Sequence, residues 1–342
     1  MTYSPRHITS SRPPLSSRGL APADGAIEAL GRPMLSVVVP VKNEQEAIAP
    51  FVTRVAALLD QITDGEGWEI LFVDDGSTDS TLAAILAAHL RDPRVRALSL
   101  SRNFGKEAAV TAGLDHALGR AVVPIDVDLQ DPPEVLAEMV AKWREGYDMV
   151  FGVRRDRSSD SLPKRMTAGL YYRAHNLISA DKIPENAGDF RLLDRKVVDV
   201  LRALPERNRV MKGLFAWCGF RQAAVEYDRV PRKVGTTKYS YWRLWTLALD
   251  GLTSASTAPL RIWSYAGAII ALFALGYAGF IVARTLILGA EAPGYASLIV
   301  SVLFLGGVQL ISLGVLGEYV GRILTETKQR PLYVVSDSIG VD

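Results

Sequence analysis

Asp126, Asp128 and Gln130 stand at alternate positions in AVVPIDVDLQDPPE, Ala121 to Glu134, directly after a short apolar run. Three oxygen donors at the mouth of a strand make a hard ligand set of the kind that holds Mg²⁺ or Mn²⁺, ions that complete their shell with water and substrate phosphates. A structural alternative stays open on local grounds: the acids could cap a helix begun by Pro132 and Pro133. Asp131 is assigned to that cap. Asp126 and Asp128 precede it, and paired carboxylates with no cation between them would raise a pKa and cost stability.

The elements that must position these acids follow from the apolar pattern. LSVVVPV, Leu35 to Val41, is too continuously apolar to have a wet face and reads as a buried strand. A helix to about Asp60 follows, then a strand from Glu69 to Asp74, and DDGSTDS opens a helix to about Leu90. Strand Val95 to Leu100, helix Lys106 to Leu118 and strand Ala121 to Ile125 come next, then helix Pro133 to Glu145 and strand Met149 to Val153. This alternation predicts an α/β domain whose mainly parallel sheet is covered on both faces. Ligands then bind at the carboxyl ends of the strands, near the point where strand order reverses.

The polar clusters fall at those ends: Asn43 and Glu44, Asp74 and Asp75, Arg102 and Asn103, then Asp126 and Asp128. In DDGSTDS, Ser77, Thr78 and Asp79 suit a turn and helix cap, and Asp79 is assigned to it. Lys106, one turn into its helix, is either solvated or placed to meet a phosphate at the helix N-terminus. No Gly-x-Gly-x-x-Gly follows the first strand and no Gly-Lys-Ser/Thr loop occurs, which disfavours a dinucleotide dehydrogenase and a P-loop nucleotidase.

Beyond Val153 the chain becomes basic. Arg154, Arg155, Arg157, Lys164, Arg165 and Arg173 fall in a helix-like segment that also carries apolar residues. It is either a solvated face or one that meets anionic headgroups or a phosphate. NAGDFRLLD places Asp189 before a short strand, Glu206 to Trp217 reads as a helix and Ala223 to Tyr227 as a strand. Arg232, Lys233 and Lys238 surround Gly235 in a loop able to close over an anion.

The rest of the 342 residues bounds the class. The net charge of +2 gives no general case for nucleic acid. The single Cys218 cannot form an internal disulfide and fits no cysteine metal spacing. Residues 1–33, rich in Ser, Pro and Arg without an apolar run, read as a disordered tail. Mean hydropathy is positive, +0.13, because apolar residues gather near the C-terminus. Ile262 to Ala283 and Ser297 to Gly317 carry no charge and read as two transmembrane helices. Arg261, Arg322, Lys328 and Arg330 flank them, which by the positive-inside rule predicts a multi-pass membrane protein with both termini, and so the soluble α/β domain, on the cytoplasmic side. Residues 239–260 read as an interfacial helix, 34–238 as the catalytic domain and 325–342 as a C-terminal tail. Gly306, Gly307, Gly314, Gly317 and Gly321 would permit close helix packing and a homo-oligomer such as a tetramer.

VPVKNEQE, VDDGSTDST, LSRNFGKEAAVTAGLDHA, DVDLQDPPE, NAGDFRL and LGEYVGRI together closely resemble the bacterial polyprenyl-phosphate glycosyltransferases of glycosyltransferase family 2, GtrB-like relatives of dolichol-phosphate mannose synthase. The resemblance covers Leu35 to Tyr333 and implies a GT-A fold: a Rossmann-like, mainly parallel sheet, amphipathic interfacial helices and two C-terminal transmembrane helices. It implies inverting transfer of a hexose from a nucleotide sugar, UDP-glucose or similar, to polyprenyl (undecaprenyl) phosphate. Carried over by position, Pro40, Val41, Asn43, Glu44 and Asp75 would hold uracil and ribose, with Lys106 near the nucleotide. Asp126, Asp128 and Gln130 would hold Mg²⁺ or Mn²⁺ on the diphosphate, and Asp128 and Asp189 would serve the reacting centre. Arg154, Arg165, Arg232 and Lys238 would meet the lipid phosphate. Competing expectations are a GDP-mannose-dependent synthase and a non-catalytic lipid-handling or transport subunit.

Overall fold

A computed structural model describes residues 32–155, 187–207, 209–228, 258–288 and 294–341. Its first half follows the alternating pattern: β1 (Leu35–Val41), α1 (Gln45–Ile62), β2 (Trp68–Asp74), α2 (Thr81–His89), β3 (Val95–Leu100), α3 (Lys106–His116), β4 (Ala121–Pro124), α4 (Val135–Arg144) and β5 (Met149–Arg154). Then come β6 (Ala187–Asp194), α5 (Arg195–Ala203), α6 (Met211–Trp217), β7 (Gln222–Tyr227), α7 (Ala258–Leu288), α8 (Tyr295–Thr327) and β8 (Val335–Ile339).

The strands form one sheet in the order β7-β5-β6-β4-β1-β2-β3-β8. Its two faces are buried separately. Ile48, Phe51 and Val55 of α1, Ile85 of α2 and Leu136 and Met139 of α4 pack with Val37 and Val39 on one side. Val110 and Leu114 of α3, Val197 and Leu201 of α5 and Phe215 of α6 pack with Val38 on the other. Neighbouring residues of β1 thus enter opposite cores, as the period of two requires, and this accounts for its unbroken apolar run.

Two expectations about this architecture are corrected. The sheet is mixed: β1 pairs in parallel with β2 and β4, β2 with β3, and β5 with β7, but β6 lies antiparallel between β4 and β5, and β8 antiparallel against β3. A strand buried on both faces has the same residue pattern in either sense, so local sequence does not reveal its direction.

The second correction concerns the membrane part. Among the described residues one helical stretch, Val300–Thr327 of α8, is long and apolar enough to cross a bilayer. The apolar stretch found in α7 is the shorter Tyr265–Ala274, which at 1.5 Å per residue covers about 15 Å, half of a hydrocarbon core of about 30 Å. The expected pair of transmembrane helices, and with it the multi-pass topology, is therefore not found. Phe304 is 60% exposed, Leu310 71% and Leu313 63%, so α8 is not a core helix of the catalytic domain. One such helix agrees with membrane association. The interfacial helix expected at 239–260 falls largely outside the described residues.

Candidate functional site

The point where strand order reverses lies between β1 and β4, since β2 and β3 continue on one side of β1 and β4 lies on the other. Ile125 extends the β1–β4 pairing, its N–H donating to Val38 O at 2.9 Å. The chain beyond β1 and β4 therefore lines the crevice in which parallel α/β sheets bind ligands. A pocket there is walled by Pro40 of β1, Lys106 of α3, Asp126 and Asp131 of the loop after β4, Phe190 of β6 and Phe215 of α6.

Its polar rim is assembled from three strand ends. Asp75, 5% exposed, accepts from Phe104 N–H at 2.7 Å and Gly105 N–H at 3.0 Å, so a buried carboxylate after β2 fixes the turn that starts α3. Gly105 has φ +100°, which a residue with a side chain rarely adopts. From this turn Lys106 Nζ reaches both oxygens of Asp126, at 2.6 and 2.8 Å. Asp128 accepts from Gln130 N–H at 3.2 Å across Leu129, whose φ is +53°. Val127 between the two acids is buried in the core.

Asn43 (φ +54°) accepts from Thr78 N–H at 2.8 Å, while its own N–H donates to Ser77 Oγ at 2.9 Å. Glu44 N–H donates to Thr81 Oγ1 at 2.9 Å. The loop after β1 is thus laced to the DDGSTDS loop. Asp79 accepts from Thr81 N–H at 3.0 Å in the turn before α2, whose N-cap position is taken by Ser80 and not by Asp79. The Val41 side chain belongs to the core, and its carbonyl accepts from Asp75 N–H at 2.9 Å.

Asp131 is not a helix cap. The helix starts four residues later, at Val135, and Asp131 Oδ1 accepts from the Tyr227 hydroxyl at 2.6 Å. Burial, reinforced by the Asp131 carboxylate, pushes the Tyr227 hydroxyl up to about 12, with Arg154 pulling the other way. Arg154, at the carboxyl end of β5, thus belongs to the Tyr227–Asp131 group. Asp189 lies on β6 two positions after Ala187, which pairs with Val153. Its backbone is therefore at the same margin of the sheet. Arg165, Arg232 and Lys238 lie outside the described residues.

Sequence reasoning missed Arg191. It is 1% exposed, its Nε donates to Gly188 O at 3.3 Å, and its guanidinium lies 4.7 Å from the Phe215 ring centroid. A buried guanidinium against an aromatic face stiffens the wall formed by Phe190 and Phe215. Only its neighbours in the strand hint at such burial in the sequence.

The donors of Asp126, Asp128 and Gln130 are all oxygen, and Asp126 already attracts a cationic side chain, so the set suits a hard divalent ion. Among the described residues no group of three or more His, Cys, Asp or Glu side chains is placed to hold a metal, and the set would need the Gln130 amide, water or substrate oxygens to be complete.

Residues 36–202 match the model of glycosyl transferase family 2, and residues 258–323 match the GtrB C-terminal hairpin. The chain is 51% identical over 304 residues to the SfII prophage-derived bactoprenol glucosyl transferase of Shigella flexneri, covering 89% of this chain and 98% of that one. It is also 51% identical to a prophage bactoprenol glucosyl transferase homolog of Escherichia coli, over 88% of this chain and 98% of the relative. An uncharacterized glycosyltransferase of Synechocystis shares 51% identity over 90% and 96% of the two chains. With half its residues shared along nearly the full length of these relatives, the chain belongs to glycosyl transferase family 2, among the GtrB-like bacterial polyprenyl-phosphate glycosyltransferases.

Proposed function

We propose that the crevice between β1 and β4 transfers a hexose, with inversion, from a UDP-sugar such as UDP-glucose to undecaprenyl phosphate at a membrane surface. The observation that carries the reading is the Lys106–Asp126 pair at the strand-order reversal, with Lys106 on a turn that Asp75 holds, in a chain that is half identical to bactoprenol glucosyl transferases.

The acceptor needs little activation. A phosphate monoester has a second pKa of about 6, so its oxygen is already anionic at neutral pH. What the protein must supply is alignment and relief of repulsion between two anions. Asp75 holds the turn that presents Lys106, and Asn43 and Glu44, with Pro40 and Val41, are assigned to the nucleoside. Asp126, Asp128 and Gln130 would hold Mg²⁺ or Mn²⁺, which when bound offsets charge on the departing diphosphate. Arg154 and Asp189, at the same margin, are assigned to the lipid phosphate and the sugar, and Arg165, Arg232 and Lys238 to the acceptor side. Attack by the phosphate oxygen on the anomeric carbon, opposite the UDP leaving group, gives a β-linked product from an α-linked donor. We further propose that the glycine face of α8 supports self-association.

The test is label from a panel of UDP- and GDP-sugars moving into the organic phase with undecaprenyl phosphate as acceptor. Transfer from a UDP-hexose that Asp128→Asn reduces by at least a hundredfold is expected. Efficient transfer from GDP-mannose, or an Asp128→Asn variant at full rate, overturns the donor or the metal assignment respectively.

A further inference from the structure

We infer that Lys106 is a built-in counter-ion that competes with the divalent cation for Asp126, so that metal and nucleotide diphosphate bind cooperatively. The inference rests on the metal assignment just proposed and adds to it an order of events carried by one side chain.

The geometry has three parts. Lys106 Nζ contacts both Asp126 oxygens, at 2.6 and 2.8 Å, so the ammonium occupies the carboxylate edge that a cation would use. The two side chains are 43% and 39% exposed, so the pair is wet and readily broken. Finally, Lys106 is the first residue of α3, and its turn is pinned by the Asp75 bonds to Phe104 and Gly105. The side chain therefore swings from a fixed base on a flexible four-carbon stem.

The helix supplies the direction of the switch. A cation in the first turn opposes the helix dipole, whereas an anion there is favoured. The Asp126 carboxylate compensates Lys106. A diphosphate arriving at the start of α3 offers Lys106 a second anion and releases the Asp126 edge. By linkage, the metal must then favour the diphosphate by the same factor.

Mn²⁺ binding to the full-length protein in detergent, read from the electron paramagnetic resonance signal of the free ion with and without UDP, tests this. Lys106→Met is expected to bind Mn²⁺ alone three- to tenfold more tightly than wild type, and UDP is expected to enhance Mn²⁺ binding less in the variant. Lys106→Arg, which keeps a cation able to reach Asp126, should retain the wild-type pattern. Unchanged or weaker Mn²⁺ binding by Lys106→Met, with binding abolished in Asp126→Asn, overturns the competition and leaves the metal site standing. No Mn²⁺ binding by wild type, with UDP or without, overturns the metal assignment and this inference together.

Discussion

The Tyr227 hydroxyl donates to Asp131 Oδ1 at 2.6 Å, joining the edge strand β7 to the loop that carries Asp126 and Asp128, 96 positions earlier in the chain. The Tyr227 ring also packs 6.0 Å from Phe190, edge to face. One side chain thus ties the loop to the pocket wall.

Tyr227→Phe should lower stability by about 1–2 kcal/mol, the cost of removing a donor from a buried carboxylate, and turnover should fall severalfold. The pH dependence has a definite sign. The folded-state pKa of Tyr227 is raised from about 10 to about 12, so its contribution is complete below pH 10 and is lost as pH rises towards 12. Denaturant melts of both proteins should therefore differ by a constant amount up to about pH 10 and converge above it. A gap independent of pH to 12 would contradict this.

Gly76, at φ +66°, lies against the turn that presents Lys106. A Cβ there would sit 2.6 Å from Arg102 C and 2.7 Å from Asn103 N, both backbone atoms. Gly76→Ala should cost about 1–3 kcal/mol and raise the KM for the nucleotide sugar by moving residues 102–105. Thermal melts and donor titration at saturating acceptor check both effects.

Glu69 and Arg96 form a buried ion pair on adjacent strands, with side chains 4% and 11% exposed. Glu69 also accepts from Ser36 Oγ at 2.5 Å and Leu118 N–H at 2.7 Å, while Arg96 Nε donates to Gly340 O at 2.7 Å. Arg96→Met should destabilise by about 3 kcal/mol or more, because it leaves Glu69 buried without its cation. Adding Glu69→Gln should recover part of that loss, as a double-mutant cycle in urea would measure.

Burial pushes the Cys218 thiol up to about 11. With so little thiolate at pH 8, labelling by maleimide should be on the order of a hundredfold slower than for a free thiol, and should become fast once the protein is denatured. Fast labelling of the native protein would refute this.

Much of the catalytic half was legible because a strand buried on both faces has an unmistakable pattern: β1 lies where its apolar run predicts, and β3 spans the expected Val95–Leu100 although Arg96 and Ser99 interrupt it. α5 was missed although its signal was present. Asp194 accepts from Lys196 N–H at 3.0 Å just before Val197, Val198 and Leu201, a short capped helix with one apolar face. Other features depend on distant partners. The fate of Asp131 was set by Tyr227, and the Lys106–Asp126 pair joins two strand ends that spacing alone does not bring together. β8 reads in the sequence as part of a tail because VSDSI is polar and short, as a solvent-facing edge strand tends to be.

The outermost strands of the sheet are β7 and β8, and the 107 residues 228–334, α7 and α8 among them, run between these margins. The apolar segment is accordingly an insertion bracketed by the catalytic domain. Cutting the chain after β7 to obtain a water-soluble enzyme would strip β8 from β3 and bare a row of unpaired amides and carbonyls that invites aggregation. Excising the insertion and splicing residue 228 to the segment leading into β8 through a flexible linker long enough to cross the sheet keeps β8 paired with β3.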